Sequence, residues 1–263
     1  MSATDTLDAL VPARAVFHPV VDLGTGAVVA VEAHAGPAEG PGPSGGPARP
    51  DPASGDVRRA VEAARAAAEL RTPLPLQIGL RAETLASGGH LLDGLHRGLG
   101  ETGRRPQEII ICVGGGFPPA RRPALAAALS ALRRAGYLVG LSGLGSAHTP
   151  LDLLVDGASY LLKLDPGLAR SAAADPRRAA LVASLVELAH RLETHVLAPG
   201  MTTRDQVLHL REAASGSSRA RPSRRRTGGP ACRCTSRSRA SASRPPVPAP
   251  GSGRGCRSSP SPR

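Results

Sequence analysis

The chain has 263 residues, enough for one large domain or two small ones around a well-buried core. All 21 acidic residues and 21 of the 33 basic ones fall at or before Glu212, so the net charge of +12 sits entirely in the twelve Arg that follow, and composition excludes a basic nucleic-acid-binding surface on the neutral part. No apolar run reaches the ~18 residues of a membrane span, Met1–Asp5 lacks the basic-then-apolar order of a signal peptide, and only Cys112 of four Cys lies in the neutral part, so a cytoplasmic chain without a disulfide framework is expected.

Residues 1–35 are apolar with β character, and residues 36–56 hold six Gly and six Pro, which reads as a mobile loop or linker. Short β-prone runs then alternate with helical patterns. Val57, Val61, Ala64 and Ala68 share a helix face, and Leu74 to Leu80 is a short apolar strand. Leu91, Leu95 and Leu99 return to helical spacing before Gly103, and Ile109 to Val113 is the continuous apolar run of a strand covered on both faces. A helix through Leu125, Leu129 and Leu132 ends at Gly136, and the strand Tyr137 to Leu141 follows. A short helix near Pro150 to Val155 leads to the strand Tyr160 to Leu164. The clearest helix opens with Asp175 as N-cap and Pro176 at its first position, and runs through Leu181, Leu185, Leu188 and Leu192. The strand Thr194 to Ala198 and a helix from about Thr203 to Ala214 complete the rhythm. Such repetition implies a parallel sheet wrapped by helices, and periodicity leaves a barrel and an open doubly wound sheet both open.

From Ser215 onward the composition changes abruptly. Arg, Ser, Pro and Gly dominate the tail, and Val247 is its one branched aliphatic residue. A segment with so little to bury cannot offset its ordering entropy, so residues 215–263 are expected to be disordered and dispensable for stability. A wrong-frame translation of a GC-rich gene has this composition, and that origin, or a recent degeneration, is preferred over a functional tail. The nucleotide sequence around codon 214 in all three frames decides it.

Several local strings carry a resemblance. Phe17-His18-Pro19-Val20-Val21-Asp22-Leu23, followed by Gly24-Thr25-Gly26, is similar to the opening hairpin of the bacterial EAL domain. Val31-Glu32-Ala33-His34 sits where that family's Glu-Ala-Leu signature falls. Leu161-Leu162-Lys163-Leu164-Asp165 resembles its Leu-Lys-Ile-Asp strand, and Val196 to Thr202 resembles Val-Val-Ala-Glu-Gly-Val-Glu. The similarity spans about residues 14–214 and divides the chain into an EAL-like domain, 1–214, and the tail, 215–263. It implies an α/β fold, an EAL-like modified (β/α)8 TIM barrel, expected to be incomplete at its C-terminal end because the tail begins there.

The family's chemistry, as the resemblance implies it, is hydrolysis of cyclic di-GMP by water activated on two Mg²⁺ or Mn²⁺ ions. Hard cations of this kind need several oxygen ligands, held at the C-terminal ends of barrel strands. The signature glutamate is present as Glu32 and the catalytic lysine as Lys163, the single Lys of the chain. The family's asparagine falls on Gly79, a glutamate on Cys112, the aspartate pair on Ser142 and Gly143, and a late glutamate on Pro199. The final glutamine string has no counterpart. Forfeiting metal activation removes several kcal/mol of transition-state stabilisation, and each ~1.4 kcal/mol is tenfold in rate. The resemblance therefore leads to a degenerate, catalytically inactive EAL-domain protein that acts as a signalling or interaction module or a weak nucleotide binder. No metal cofactor is expected, with Mg or Mn required only if the protein is active. The expected partner is a signalling protein, with weak or no cyclic di-GMP binding. The alternative is an active cyclic di-GMP phosphodiesterase with relocated metal ligands, for which Asp165, Asp152 and Asp156 join Glu32 near the strand ends.

Each site residue also has a plainer reading, and the plainer one is preferred. Lys163 reads as a strand-end cation paired with Asp165 or a neighbouring carboxylate, and Glu32 as a hydrogen-bonded strand carboxylate. Gly114-Gly115-Gly116 reads as a flexible turn, since it lacks the full spacing of a phosphate loop. His18, His34, His148 and His195 have no zinc-ligand spacing, nor do Cys232, Cys234 and Cys256. The Arg-rich tail can meet nucleic acid only non-specifically through phosphates, because it has no aromatic residue to stack on bases. Guanine platforms are scarce in the neutral part as well, which offers only Phe17, Phe117, Tyr137 and Tyr160.

Overall fold

A computed structural model of the chain describes residues 15–34, 52–146, 151–156, 159–219 and 232–236. The chain opens with an antiparallel hairpin of β1 (Val16–Asp22) and β2 (Val28–His34). Asp22 fixes the turn between them: one of its oxygens accepts hydrogen bonds from the Gly24 and Thr25 N–H groups and from the Thr25 hydroxyl. From β2 the sheet runs parallel through β3 (Leu76–Arg81), β4 (Ile109–Gly114), β5 (Leu138–Leu144), β6 (Leu161–Leu164) and β7 (His195–Met201). The eighth strand, β8 (Cys232–Ser236), lies parallel to β7 and antiparallel to β1 and closes the barrel. Of the two architectures that periodicity left open, the closed barrel is the one formed.

Alternation along the strands divides the core into two. Val20, Ala30, Ile110, Cys112, Leu161 and Leu197 point inward and fill the barrel. Leu76, Ile78, Ile109, Ile111, Leu141 and Leu162 point outward and are covered by helices. Burial on both faces explains why Ile109 to Val113 shows no alternation in sequence. The covering helices include α1 (Pro52–Glu69), α3 (Gly89–Gly100), α4 (Arg122–Arg134), α7 (Pro176–Arg191) and α8 (Arg204–Arg219). The backbones of α1 and α3 approach so closely that a Cβ on Gly98 would stand 2.7 Å from a Val61 methyl.

The short helices α2 (Ala82–Leu85) and α6 (Pro166–Ser171) were not anticipated, whereas α5 (Leu151–Asp156) falls where a short helix was expected. Two boundaries are corrected. The loop read at 36–56 ends earlier, because α1 begins at Pro52, where a first-turn proline forfeits no helical hydrogen bond; residues 36–51 lie outside the described ones. The tail read as disordered from Ser215 is helical to Arg219 and supplies β8 at 232–236. Backbone pairing on two sides, with β1 and with β7, places that strand. The rest of the tail, 220–231 and 237–263, lies outside the described residues. The incompleteness expected at the C-terminal end takes a definite form: the last strand has five residues, and no helix follows it among the described residues.

Candidate functional site

The C-terminal ends of β2 to β6 surround a cavity of about 340 Å³. Strand alternation builds its polar wall, while Ala33, Ile78 and Leu80 with Ala60 and Ala63 of α1 add an apolar side. Glu32 and His34 come from β2, Gly79 and Arg81 from β3, Cys112 and Gly114 from β4, Ser142 from β5 and Lys163 from β6. Strand register sets Gly79 beside Cys112, and Ser142 beside Lys163. The first turns of α1 add Asp56 and Arg59 over the mouth.

Glu32 and Lys163 meet directly across the cavity. Glu32 is buried, and the oxygen that takes the Lys163 ammonium also lies 3.1 Å from His34 Nε2. Burial by itself would raise the Glu32 pKa. The hydrogen bond to His34 and the Lys163 charge outweigh it and bring the value down to about 2. Lys163 thus occupies, as a cation, the neighbourhood of the one carboxylate on the cavity floor. The other Glu32 oxygen has no hydrogen-bond partner, nor does either amide atom of Gln77, which sits in register with Glu32 on β3 and is 1% exposed.

Cys112 is also buried. Burial pushes its thiol up to about 12, with the Lys163 charge opposing and Glu32 reinforcing. It therefore stays a neutral thiol at physiological pH and offers neither a thiolate nucleophile nor a thiolate ligand. Asp56 is engaged twice, accepting the Arg81 backbone N–H at 2.8 Å and facing the Arg59 guanidinium at 3.4 Å. Gly79 leaves room: a Cβ built there meets nothing within 4 Å.

The structure brings together five of the positions singled out in sequence, namely Glu32, Gly79, Cys112, Ser142 and Lys163. Gly143 and Pro199 do not line the cavity. Lys163 pairs with Glu32 and not with Asp165, which instead caps α6 by accepting the Leu168 N–H. Asp152 pairs with Arg122 on the outside, and the Asp156 side chain lies outside the described ones. Among the described residues no Phe, Tyr or Trp lines the cavity, and its one ring is that of His34. Phe117 is buried in the outer core, Tyr137 bonds His96 and Tyr160 packs on His195. The glycine turn after β4 is tied down as well, since the Gly116 N–H donates to Glu83 at 3.1 Å. Among the described residues no group of three His, Cys, Asp or Glu side chains is arranged to hold a metal ion. Among them, too, no helix is long and apolar enough to cross a membrane.

Asp56, Arg59 and Arg81 escaped sequence reasoning. The available signal was positional: in a (β/α) barrel the first turn of the helix after a strand overlooks the mouth, and these residues flank β2 and β3.

Comparison with known proteins agrees with this fold. No curated protein matches. Solved structures do, and their likeness at this level of identity concerns the fold. Klebsiella pneumoniae BlrP1 in a calcium and cyclic di-GMP complex is 23% identical with a TM-score of 0.67, covering 77% of this chain and 52% of its own. The chain thus spans about half the length of that protein. The PaMucR phosphodiesterase in its cyclic di-GMP complex is 20% identical with a TM-score of 0.62, covering 84% of this chain and 89% of its own. The EAL domain of Mycobacterium smegmatis DcpA is 17% identical with a TM-score of 0.62, covering 84% and 87%. The family profile for the EAL domain matches residues 57–214. That range begins after β2, so the place of Glu32 rests on the hairpin and the cavity. On the profile match over most of the barrel, the chain belongs to the EAL domain family.

Proposed function

We propose that this chain is an EAL-domain module that has lost phosphodiester hydrolysis and acts by binding, with a signalling protein as its partner and little affinity for cyclic di-GMP. The observation that carries this reading is the direct Glu32–Lys163 ion pair in a cavity whose remaining family positions read Gly79, Cys112 and Ser142. Two hard divalent ions need a cage of oxygen donors. The floor offers one unpartnered carboxylate oxygen, a hydroxyl and a protonated thiol, and these do not fit such a pair. The Lys163 ammonium also stands where a metal would have to compete for Glu32. With no Phe, Tyr or Trp on the wall among the described residues, guanine bases have only His34 and the mouth arginines to stack on, which supports weak nucleotide binding.

The test is incubation of the full-length protein with cyclic di-GMP and Mg²⁺ or Mn²⁺ for hours, alongside calorimetric titration of the nucleotide. No linear dinucleotide is expected. Turnover that disappears in Glu32→Ala overturns the reading and restores the alternative of relocated ligands. Micromolar binding without turnover, lost in Lys163→Ala, would make the module a nucleotide sensor.

A further inference from the structure

Guanidinium groups stand at the cavity mouth. Arg81 ends β3 and Arg59 lies in the second turn of α1, and both line the cavity that holds Lys163. Three cations therefore meet three carboxylates, Glu32 and Asp56 on the lining and Glu83 beside Arg81. Glu32 takes Lys163 and His34, while Asp56 takes the Arg81 N–H and one Arg59 nitrogen. The guanidiniums are engaged far less. Arg59 reaches Asp56 only at 3.4 Å, and Arg81 reaches Glu83 through Nε only at 3.5 Å, the outer edge of useful hydrogen-bond distance. Their side chains are 45% and 57% exposed. Among the described residues, the other donors of both groups have no partner.

Each guanidinium offers five N–H donors in a planar fork suited to the oxygens of a phosphate. The Lys163 ammonium has further hydrogens beyond the one given to Glu32, and the Ser142 hydroxyl lies on the same wall. The space over Gly79 is open. We propose that this cavity binds a small phosphomonoester without a metal ion, its phosphate held by Arg59, Arg81 and Lys163. A monoester has three terminal oxygens to share among three cations, whereas a diester has two and a single charge. The proposal rests on the metal-free reading of the cavity.

The test titrates the full-length protein with inorganic phosphate and with glycerol 3-phosphate, in EDTA at low ionic strength, by calorimetry. Saturable one-site binding is expected. Arg59→Gln and Arg81→Gln should each weaken it about tenfold, the loss of one charged hydrogen-bonded contact. Arg81→Lys should fall between, keeping the charge but losing the fork. Arg65→Gln, on the outer surface against Glu101, should leave affinity unchanged. Both mouth residues are half-exposed, so thermal midpoints without phosphate should match the parent, and either variant alone decides the matter. No saturable binding, or equal affinity in the double variant, overturns the proposal. The latter result is expected if the tail arginines hold the phosphate. Metal-dependent turnover of cyclic di-GMP is read separately and bears on the non-hydrolytic reading, whereas insensitivity to the Arg variants bears on the phosphate site alone.

Discussion

Glu32 and Lys163 join β2 to β6 across the barrel, and the Glu32 carboxylate is held charged by His34 and Lys163 together. The folded Glu32 pKa lies at about 2, below its ordinary 4.5. A depressed carboxylate contributes stability above its unfolded pKa, and that contribution is lost as pH falls toward the folded value. The shift corresponds to on the order of 3 kcal/mol. Urea denaturation should therefore show stability falling between pH 5 and pH 2, and Glu32→Gln should remove that part of the slope. Lys163→Ala leaves the buried Glu32 carboxylate with His34 alone and is expected to cost about 3 kcal/mol at pH 7, the low end for breaking a buried pair. The double variant Glu32→Gln/Lys163→Met should recover most of that loss, and failure to recover would show that the two side chains act independently. Sequence resemblance singled out both residues, but their pairing was not legible. The sequence left Asp165 or a neighbouring carboxylate as the partner of Lys163, and Asp165 instead accepts the Leu168 N–H as a helix cap. Arg59 and Arg81 carry no motif, and only the closing of the barrel places them together.

At the scale of elements, legibility followed burial. Strands and helices with a long apolar pattern, such as β4 and α7, stand close to where periodicity put them. The helices α2 and α6 are four and six residues long, too short to display a 3.6-residue period. β8 was invisible for a different reason. Cys232-Arg233-Cys234-Thr235-Ser236 has no branched aliphatic residue, and its position comes from main-chain pairing with β1 and β7, which no side-chain pattern records. The tail expected to be dispensable thus contains a barrel stave. A chain ending at Ala214 should lose β8 and the last turn of α8 and melt at a lower temperature. In this size range each ~1 kcal/mol shifts the midpoint by about 2–4 °C, so a loss of several degrees is expected in a thermal melt. An unchanged midpoint would show that β8 contributes nothing.

For the whole molecule, residues 1–214 are neutral and residues 215–263, which supply β8, carry all of the +12 net charge. Any contact with nucleic acid should then be a property of the tail: independent of sequence, absent from the chain ending at Ala214, and steeply weakened by salt as counterions are released. Filter binding to duplex DNA at 50 and 200 mM salt measures this, and salt-insensitive binding by the shortened chain would contradict it. The closing strand has another consequence, in time. Val20 in the first strand pairs with Thr235 in the last, so during synthesis the ring cannot shut until residues 232–236 have left the ribosome. At about 5–20 residues per second, the facing edges of β1 and β7 spend on the order of seconds unpaired. In that interval the nascent sheet is an open template for another strand, and a ribosome stalled before codon 232 would present a sheet with two free edges.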